Sequence, residues 1–162
     1  MEPVQDRLLR LWSEPPPDGD GGLAAFGAVY SDPVSLNGST IPLEALVLRA
    51  RILHAAFVEP RFEVLSSVEA AGRVALVFRF RGRHVGPLPT PLGEVPPTGR
   101  VIEVQTIDVL TIEGGLVSEL WVVSDELSRL LQLDAIRLAS DRPSWAETLP
   151  DTLPTSPPGL SE

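Results

Sequence analysis

The sequence predicts an α+β fold: a cone-shaped barrel made of a curved, mostly antiparallel β-sheet packed against N-terminal helices, with a short C-terminal helix. Three observations predict it. Apolar residues recur at helical spacing as far as Phe57, then alternate at strand spacing from Arg61 to Val123, and a capped helical run returns after Ser124. A bent sheet covered by helices on one face makes a cone, and an apolar cone is a ligand pocket. At 162 residues there is room for one domain with a real core and not for two.

Pro3 to Trp12 (PVQDRLLRLW) places Leu8, Leu9, Leu11 and Trp12 on overlapping helical faces with charge between them. The helix must stop at the proline run Pro15 to Pro17. Gly22 to Ala28 (GLAAFGA) reads as a short second helix with Phe26 pointing inward. Tyr30 and Val34 suit a short strand, and Asp32 is held extended by the proline after it. Pro42 to Phe57 (PLEALVLRARILHAAF) is the strongest helix. Pro42 fits a first-turn position and Glu44 the positive end of the dipole. Leu46, Val47, Ala50, Leu53 and Phe57 form one apolar stripe, with Arg49 near its edge and His54 beside it.

From Arg61 the period becomes two. Phe62, Val64, Ser66 and Val68 alternate with polar residues, interrupted by Leu65. After an AAGR turn, Val74, Leu76, Phe78, Phe80 and His84 share one face, and Arg73, Arg79, Arg81 and Arg83 share the other. The arginine stripe reads as a solvated or inter-subunit face. His84 has the parity of the aromatics, so it either looks into a cavity or packs in the core. Val85 to Thr98 is long, proline-rich and glycine-punctuated, as segments that cover something tend to be.

Thr98 to Asp125 is a hairpin, two β-branched runs joined at Gly114-Gly115, where positive φ is needed. Its anomaly is Asp108, whose same-face neighbours are Val104, Thr106, Leu110 and Ile112. A carboxyl among apolar residues is desolvated, which pushes its pKa upward. Asp108 is either a register accident near a sheet edge or an acid kept there for proton transfer. Buried acids cluster at functional sites, which favours the second. The last helix follows, with Ser124 as its N-cap. Residues 1–139 form the domain, and residues 140–162, rich in Pro, Ser and Thr, are expected to be a mostly disordered tail with Trp145 anchoring its first part.

Composition excludes several functions. There are no cysteines, so disulfides and thiolate metal sites are out and a reducing cytoplasm fits. His54 and His84 are the only histidines, and their positions suggest no metal site. Net charge is −9, a poor match for nucleic acid. No leader opens the chain and no apolar run reaches membrane-spanning length, so a soluble, cytoplasmic protein is expected.

This order of elements carries three literal motifs: Gly82-Arg83-His84-Val85-Gly86, Pro96-Pro97-Thr98-Gly99-Arg100, and Glu119-Leu120-Trp121 followed by Asp125 and Leu130-Leu131-Gln132-Leu133. With them the chain resembles, over roughly residues 1–136, the SnoaL-like polyketide cyclases and ester cyclases of the nuclear-transport-factor-2-like superfamily. The resemblance implies an α+β cone, commonly dimeric through the outer sheet face. The strand Thr106 to Leu110 also looks like the ketosteroid isomerase strand whose protonated aspartic acid donates to a developing enolate; in that enzyme paired acids are held in different protonation states. Tyr30-Ser31-Asp32-Pro33 is similar to the segment carrying that family's general base. One departure matters: the aldol cyclase that typifies the SnoaL-like family carries its acid on the last strand, and Val122 stands there here. Its pocket histidine is matched by Asp108.

The resemblance therefore implies a pair. Asp32, ionised, is the base, and Asp108, neutral, donates to the oxygen where charge develops. Tyr30, Phe78, Phe80, His84, Leu120, Trp121 and Val122 are expected to bind a hydrophobic, polyketide-like substrate, with no cofactor and no metal. The leading function is a cyclase or isomerase of natural-product biosynthesis. A second is an epoxide hydrolase or epoxide-opening cyclase using the same pair; Glu59, Glu63, Glu103 and Glu119 read as surface acids, with Glu59 or Glu63 entering the site only if the helix–strand junction folds inward. A third is a non-catalytic small-molecule-binding or dimerisation module.

Overall fold

A computed structural model describes residues 2–137. The chain runs α1 (Val4–Ser13), α2 (Asp20–Gly27), β1 (Tyr30–Leu36), β2 (Ser39–Ile41), α3 (Leu43–Ala56), β3 (Phe57–Ala70) and β4 (Arg73–His84). It continues β5 (Leu88–Thr90), β6 (Gly93–Val95), β7 (Val101–Glu113), β8 (Leu116–Ser124) and α4 (Glu126–Gln132). The expected tail and its Trp145 lie outside the described residues. None of the described helices is long and apolar enough to cross a membrane.

Six strands form one curved sheet in the order β2-β1-β8-β7-β4-β3. Every neighbouring pair is antiparallel except β1 and β8, which run parallel. The α+β cone read from the sequence is the observed fold. Alternation along β4 and β7 is clean: Val74, Leu76, Phe78, Phe80, Gly82 and His84 point inward, as do Ile102, Val104, Thr106, Asp108 and Leu110. The Gly114-Gly115 turn has φ of 58° and 81°, as a two-residue hairpin requires. Asn37-Gly38, with φ of 48° and 79°, makes a second such turn between β1 and β2, an Asn-Gly signal that went unread in the sequence.

Two buried clusters fill the inner face. One gathers Phe26, Tyr30, Leu46, Leu110 and Val117 under α1–α3, and the other surrounds Phe57, Phe80, Ile102 and Leu133. Each fully buried side chain of this kind contributes about 1.5–3 kcal/mol. α1 is tied across the cone: Arg7 donates to the carbonyls of Ala28 and Gly115, and the His54 ring meets the Trp12 carbonyl at 3.0 Å.

Local differences from the sequence reading have physical causes. β3 starts at Phe57, directly after α3, with Pro42 as the helix N-cap and not in its first turn. The distal half of β3 is exposed, Val68 to 65%, because it is the sheet edge and its pairing slips between Val64 and Ser66, at Leu65. The Val85–Thr98 segment contains the β5–β6 hairpin, which buries Leu88 and Val95. Asp125, not Ser124, caps α4, its Oδ1 accepting from the Ser128 amide at 3.0 Å.

The first two literal motifs form one lock. The Gly99 amide donates to the His84 carbonyl at 2.8 Å, and the His84 amide donates to the Arg100 carbonyl at 2.8 Å. The Thr98 amide donates to His84 Nδ1 at 3.3 Å, with the Thr98 hydroxyl 3.0 Å from the same nitrogen. Gly86 is a close approach, since a Cβ there would stand 2.1 Å from the Ala55 carbonyl oxygen.

Candidate active site

A cavity of about 270 Å³ opens between the two clusters. α1 contributes Leu8, Leu9 and Trp12, and α3 contributes Leu46, Arg49 and Leu53. β4 supplies Phe78 and Phe80, β7 supplies Val104, Thr106 and Asp108, and β8 supplies Leu120, Val122 and Ser124. Arg129 of α4 stands at its edge. The surface is apolar with a few polar groups, as small-molecule sites are.

Asp108 sits on the cavity wall with 5% of its surface exposed. Its register partners on β4 and β8 are Leu76 and Val122, so neither supplies a hydrogen bond to the carboxyl. Oδ1 is buried with no partner among the described residues. Burial alone pushes the carboxyl up to about 7. Near neutrality Asp108 is therefore divided between acid and carboxylate, the condition in which one group can both take and return a proton.

Tyr30 is the second chemical group. It is 1% exposed, and its hydroxyl accepts from Trp12 Nε1 at 2.8 Å, which leaves its own proton to donate. Burial, with the Asp108 charge adding to it, holds the phenol well above its ordinary range against the opposing effect of the Trp12 bond. Tyr30 stays a neutral donor. Beyond Asp108 on the same wall, the Thr106 and Ser124 hydroxyls pair at 2.9 Å.

Of the residues expected from the sequence, Asp108, Tyr30, Phe78, Phe80, Leu120 and Val122 are brought together around the cavity. Three are not. Asp32 is exposed, and its Oδ1 accepts from the Leu43 amide at 3.2 Å, at the start of α3. The β1–β8 register shifts between Tyr30 and Ser35, so Asp32 falls in the irregular stretch of β1, and its carboxylate is engaged at the start of α3. Asp32 and Asp108 do not form the expected pair.

His84 is fully buried, its ring 5.4 Å from that of Phe57 and locked to Thr98, outside the cavity. Burial lowers its pKa, so the imidazole is a neutral packing group. Trp121 lies on the outer face, 48% exposed. A two-residue turn at Gly114-Gly115 pairs Glu113 with Leu116 and Ile112 with Val117, but the next pair is Thr111 with Glu119. Ser118 is an extra residue in β8. This one-residue bulge puts Val122 opposite Asp108 and turns Trp121 outward.

Glu59 and Glu63 do not reach the cavity. Glu63 pairs with Arg79 at 3.1 Å, and Glu59 lies with Arg61, Arg81 and Arg83 in a separate surface depression. Asp108 is the one carboxyl among the cavity's described residues. The sequence reading missed Trp12, Arg49, Thr106, Ser124 and Arg129. Trp12 was recoverable from the shared face with Leu8 and Leu9. The arginines looked like any solvated helix charge.

A model of the SnoaL-like polyketide cyclase family matches residues 3–133. A comparison with curated protein sequences finds no match. Among solved structures, TsrD from Streptomyces laurentii aligns with a TM-score of 0.69 at 21% identity, covering 82% of this chain and 93% of that one. AclR from Streptomyces galilaeus aligns at 0.65 and 20% identity, over 83% and 95% of the two chains. A SnoaL-like polyketide cyclase from Agrobacterium tumefaciens gives 0.64 and 20% identity, over 82% and 99%. At these identities the structural likeness concerns the fold.

Proposed function

The chain belongs to the SnoaL-like polyketide cyclase family, and from that premise we propose that it closes or isomerises a ring in a polyketide-like small molecule by acid–base chemistry. The observation that carries this reading is the buried Asp108 carboxyl, one oxygen unpartnered, on the wall of an apolar cavity. With Asp32 outside the cavity, Asp108 takes both proton roles. Its carboxylate removes a proton from the carbon beside a substrate carbonyl, and the Tyr30 hydroxyl donates to the enolate oxygen that forms. The enolate carbon attacks a second carbonyl carbon of the same molecule. The new alkoxide then takes the proton back from Asp108, so no net proton is gained or lost.

The pKa of about 7 suits this shuttle, because neither direction of transfer is strongly uphill. Epoxide opening by two carboxylates is less well served, since the cavity's described residues include one.

The test is turnover of a linear poly-β-ketone probe followed by product mass and NMR. Asp108→Asn is expected to lower kcat by roughly 10²- to 10⁴-fold. kcat/KM of the unaltered protein should rise with pH through about 7, as the carboxylate forms. Turnover unchanged in Asp108→Asn would remove Asp108 from the chemistry, and no turnover by the unaltered protein would bring the binding module forward.

We also propose that the chain pairs with a second copy through the outer sheet face. Val68, Ala75, Val109 and Trp121 lie in register across β3, β4, β7 and β8, and Val77, Ile107 and Val123 form the row beside them. Val68, Ile107, Trp121 and Val123 are all at least 47% exposed. The ion pairs Glu63–Arg79 and Arg73–Glu119 rim the patch. Contiguous apolar surface with a polar rim marks an interface. Sedimentation equilibrium should give a dimer that Trp121→Glu converts to monomer; a monomeric unaltered protein rejects the pairing.

A further inference from the structure

The cavity's charged groups are two arginines and one buried acid, in a chain whose net charge is −9. Arg49 projects from α3 between the cavity-lining Leu46 and Leu53, one turn away on either side. No carboxylate among the described residues pairs with it, and it makes no hydrogen bond to them. Arg129 comes from α4. One of its Nη groups pairs with Glu126, but its Nε is buried and has no partner. Arg49 is exposed to solvent, and both guanidiniums carry donors that the described protein leaves unused beside a cavity whose other polar residues are Tyr30, Asn37, Thr106, Asp108 and Ser124.

We infer that Arg49 and Arg129 form an anion-binding rim that selects substrates bearing a free carboxylate. This rests on reading the cavity as the active site, and it adds the substrate's charge.

The layout of the wall supports it. On the inner face of β7, Asp108, Thr106 and Val104 succeed one another at roughly 7 Å per two-residue step. Thr106 meets Ser124, the residue that leads into α4 and Arg129. On this proposal Arg129 draws the anion toward the α4 end of the cavity, beyond the Thr106–Ser124 hydroxyl pair as seen from Asp108. A planar guanidinium is suited to gripping a carboxylate with two hydrogen bonds. A substrate recognised in this way is a free acid, so any acyl ester or thioester it comes from must be hydrolysed before this protein acts on it.

Naphthalene-2-carboxylate and its methyl ester, which differ in charge and little in shape, test this by isothermal titration calorimetry at pH 8 in low salt. The unaltered protein should bind the carboxylate roughly tenfold or more tightly than the ester. In Arg49→Gln the two affinities should come within about twofold, with the ester's unchanged, while Arg49→Lys keeps part of the preference. Equal affinities in the unaltered protein would overturn the proposal, as would a preference that survives in Arg49→Gln with Arg129→Gln. Failure to bind either compound counts against it too. The acid–base reading fails separately: an Asp108→Asn protein with full turnover sinks that reading, while the carboxylate preference is measured independently of it.

Discussion

His84 and Asp108 occupy the same inner face of the sheet, are both buried and titratable, and do opposite things. His84 stands in the packed half of the cone, against Phe57, where Thr98 fixes its Nδ1. Burial lowers its pKa, and it does not line the cavity. Its Nε2 is also buried without a partner among the described residues, but it lies outside the cavity. Asp108 stands in the hollow half, where its unpartnered Oδ1 is beside about 270 Å³ of space. The difference teaches that burial and a shifted pKa do not alone mark a reactive group. What separates the two is room for a substrate next to the unpaired atom.

Substitution can break this comparison in graded ways. His84→Ala should destabilise the fold by about 2–4 kcal/mol, because it empties a packed site and unties the Thr98 segment. Urea denaturation reads that loss, and turnover per folded molecule should stay within about twofold. A His84 variant that folds normally but fails to turn over would place the histidine in the chemistry.

Asp108→Asn should do the reverse to stability. The carboxyl is harder to ionise in the folded than in the unfolded chain, with a folded value of about 7. Below about pH 4 both states are protonated and the group costs no differential stability. As pH rises from about 4 to about 7 the unfolded chain is ionised while the folded carboxyl stays protonated, so the fold loses stability, and the loss levels off above about 7 at about 2–4 kcal/mol. The asparagine variant should therefore match the unaltered protein near pH 4 and exceed it at pH 8. Urea midpoints at the two pH values check the sign; equal differences at both would mean that Asp108 is solvated.

Asp32→Ala has the smallest expected effect. It removes the acceptor for the Leu43 amide at the start of α3, costing about 1 kcal/mol, and leaves turnover within about twofold. A large loss of kcat would return Asp32 to the site.

Regular alternation made most of the fold readable. β4 and β7 bury every second residue, so Asp108 could be recognised from its strand as an acid on an apolar face. Irregularities hid the remainder. The extra residue at Ser118 reverses the parity of Trp121, and the β1–β8 register shift leaves Asp32 in an irregular stretch of β1 whose parity cannot be read. Neither slip has a glycine or proline in β8 to announce it, and Asp32-Pro33 looks equally like an extended strand and a turn. His84 had the right parity but sits where the cone is packed, which depends on how Phe57 and Ile102 meet across it. Parity assigns a face. It does not tell a filled stretch of that face from a hollow one.

The most direct measurement is a carbon-13 NMR pH titration of the aspartate side-chain carboxyls, with Asp108→Asn to assign the resonance. The prediction is one carboxyl that titrates near pH 7, is missing from the Asp108→Asn spectrum, and loses its transition when naphthalene-2-carboxylate fills the cavity. A resonance for Asp108 that titrates near the ordinary value of about 3.9 and ignores the ligand would contradict the central claim.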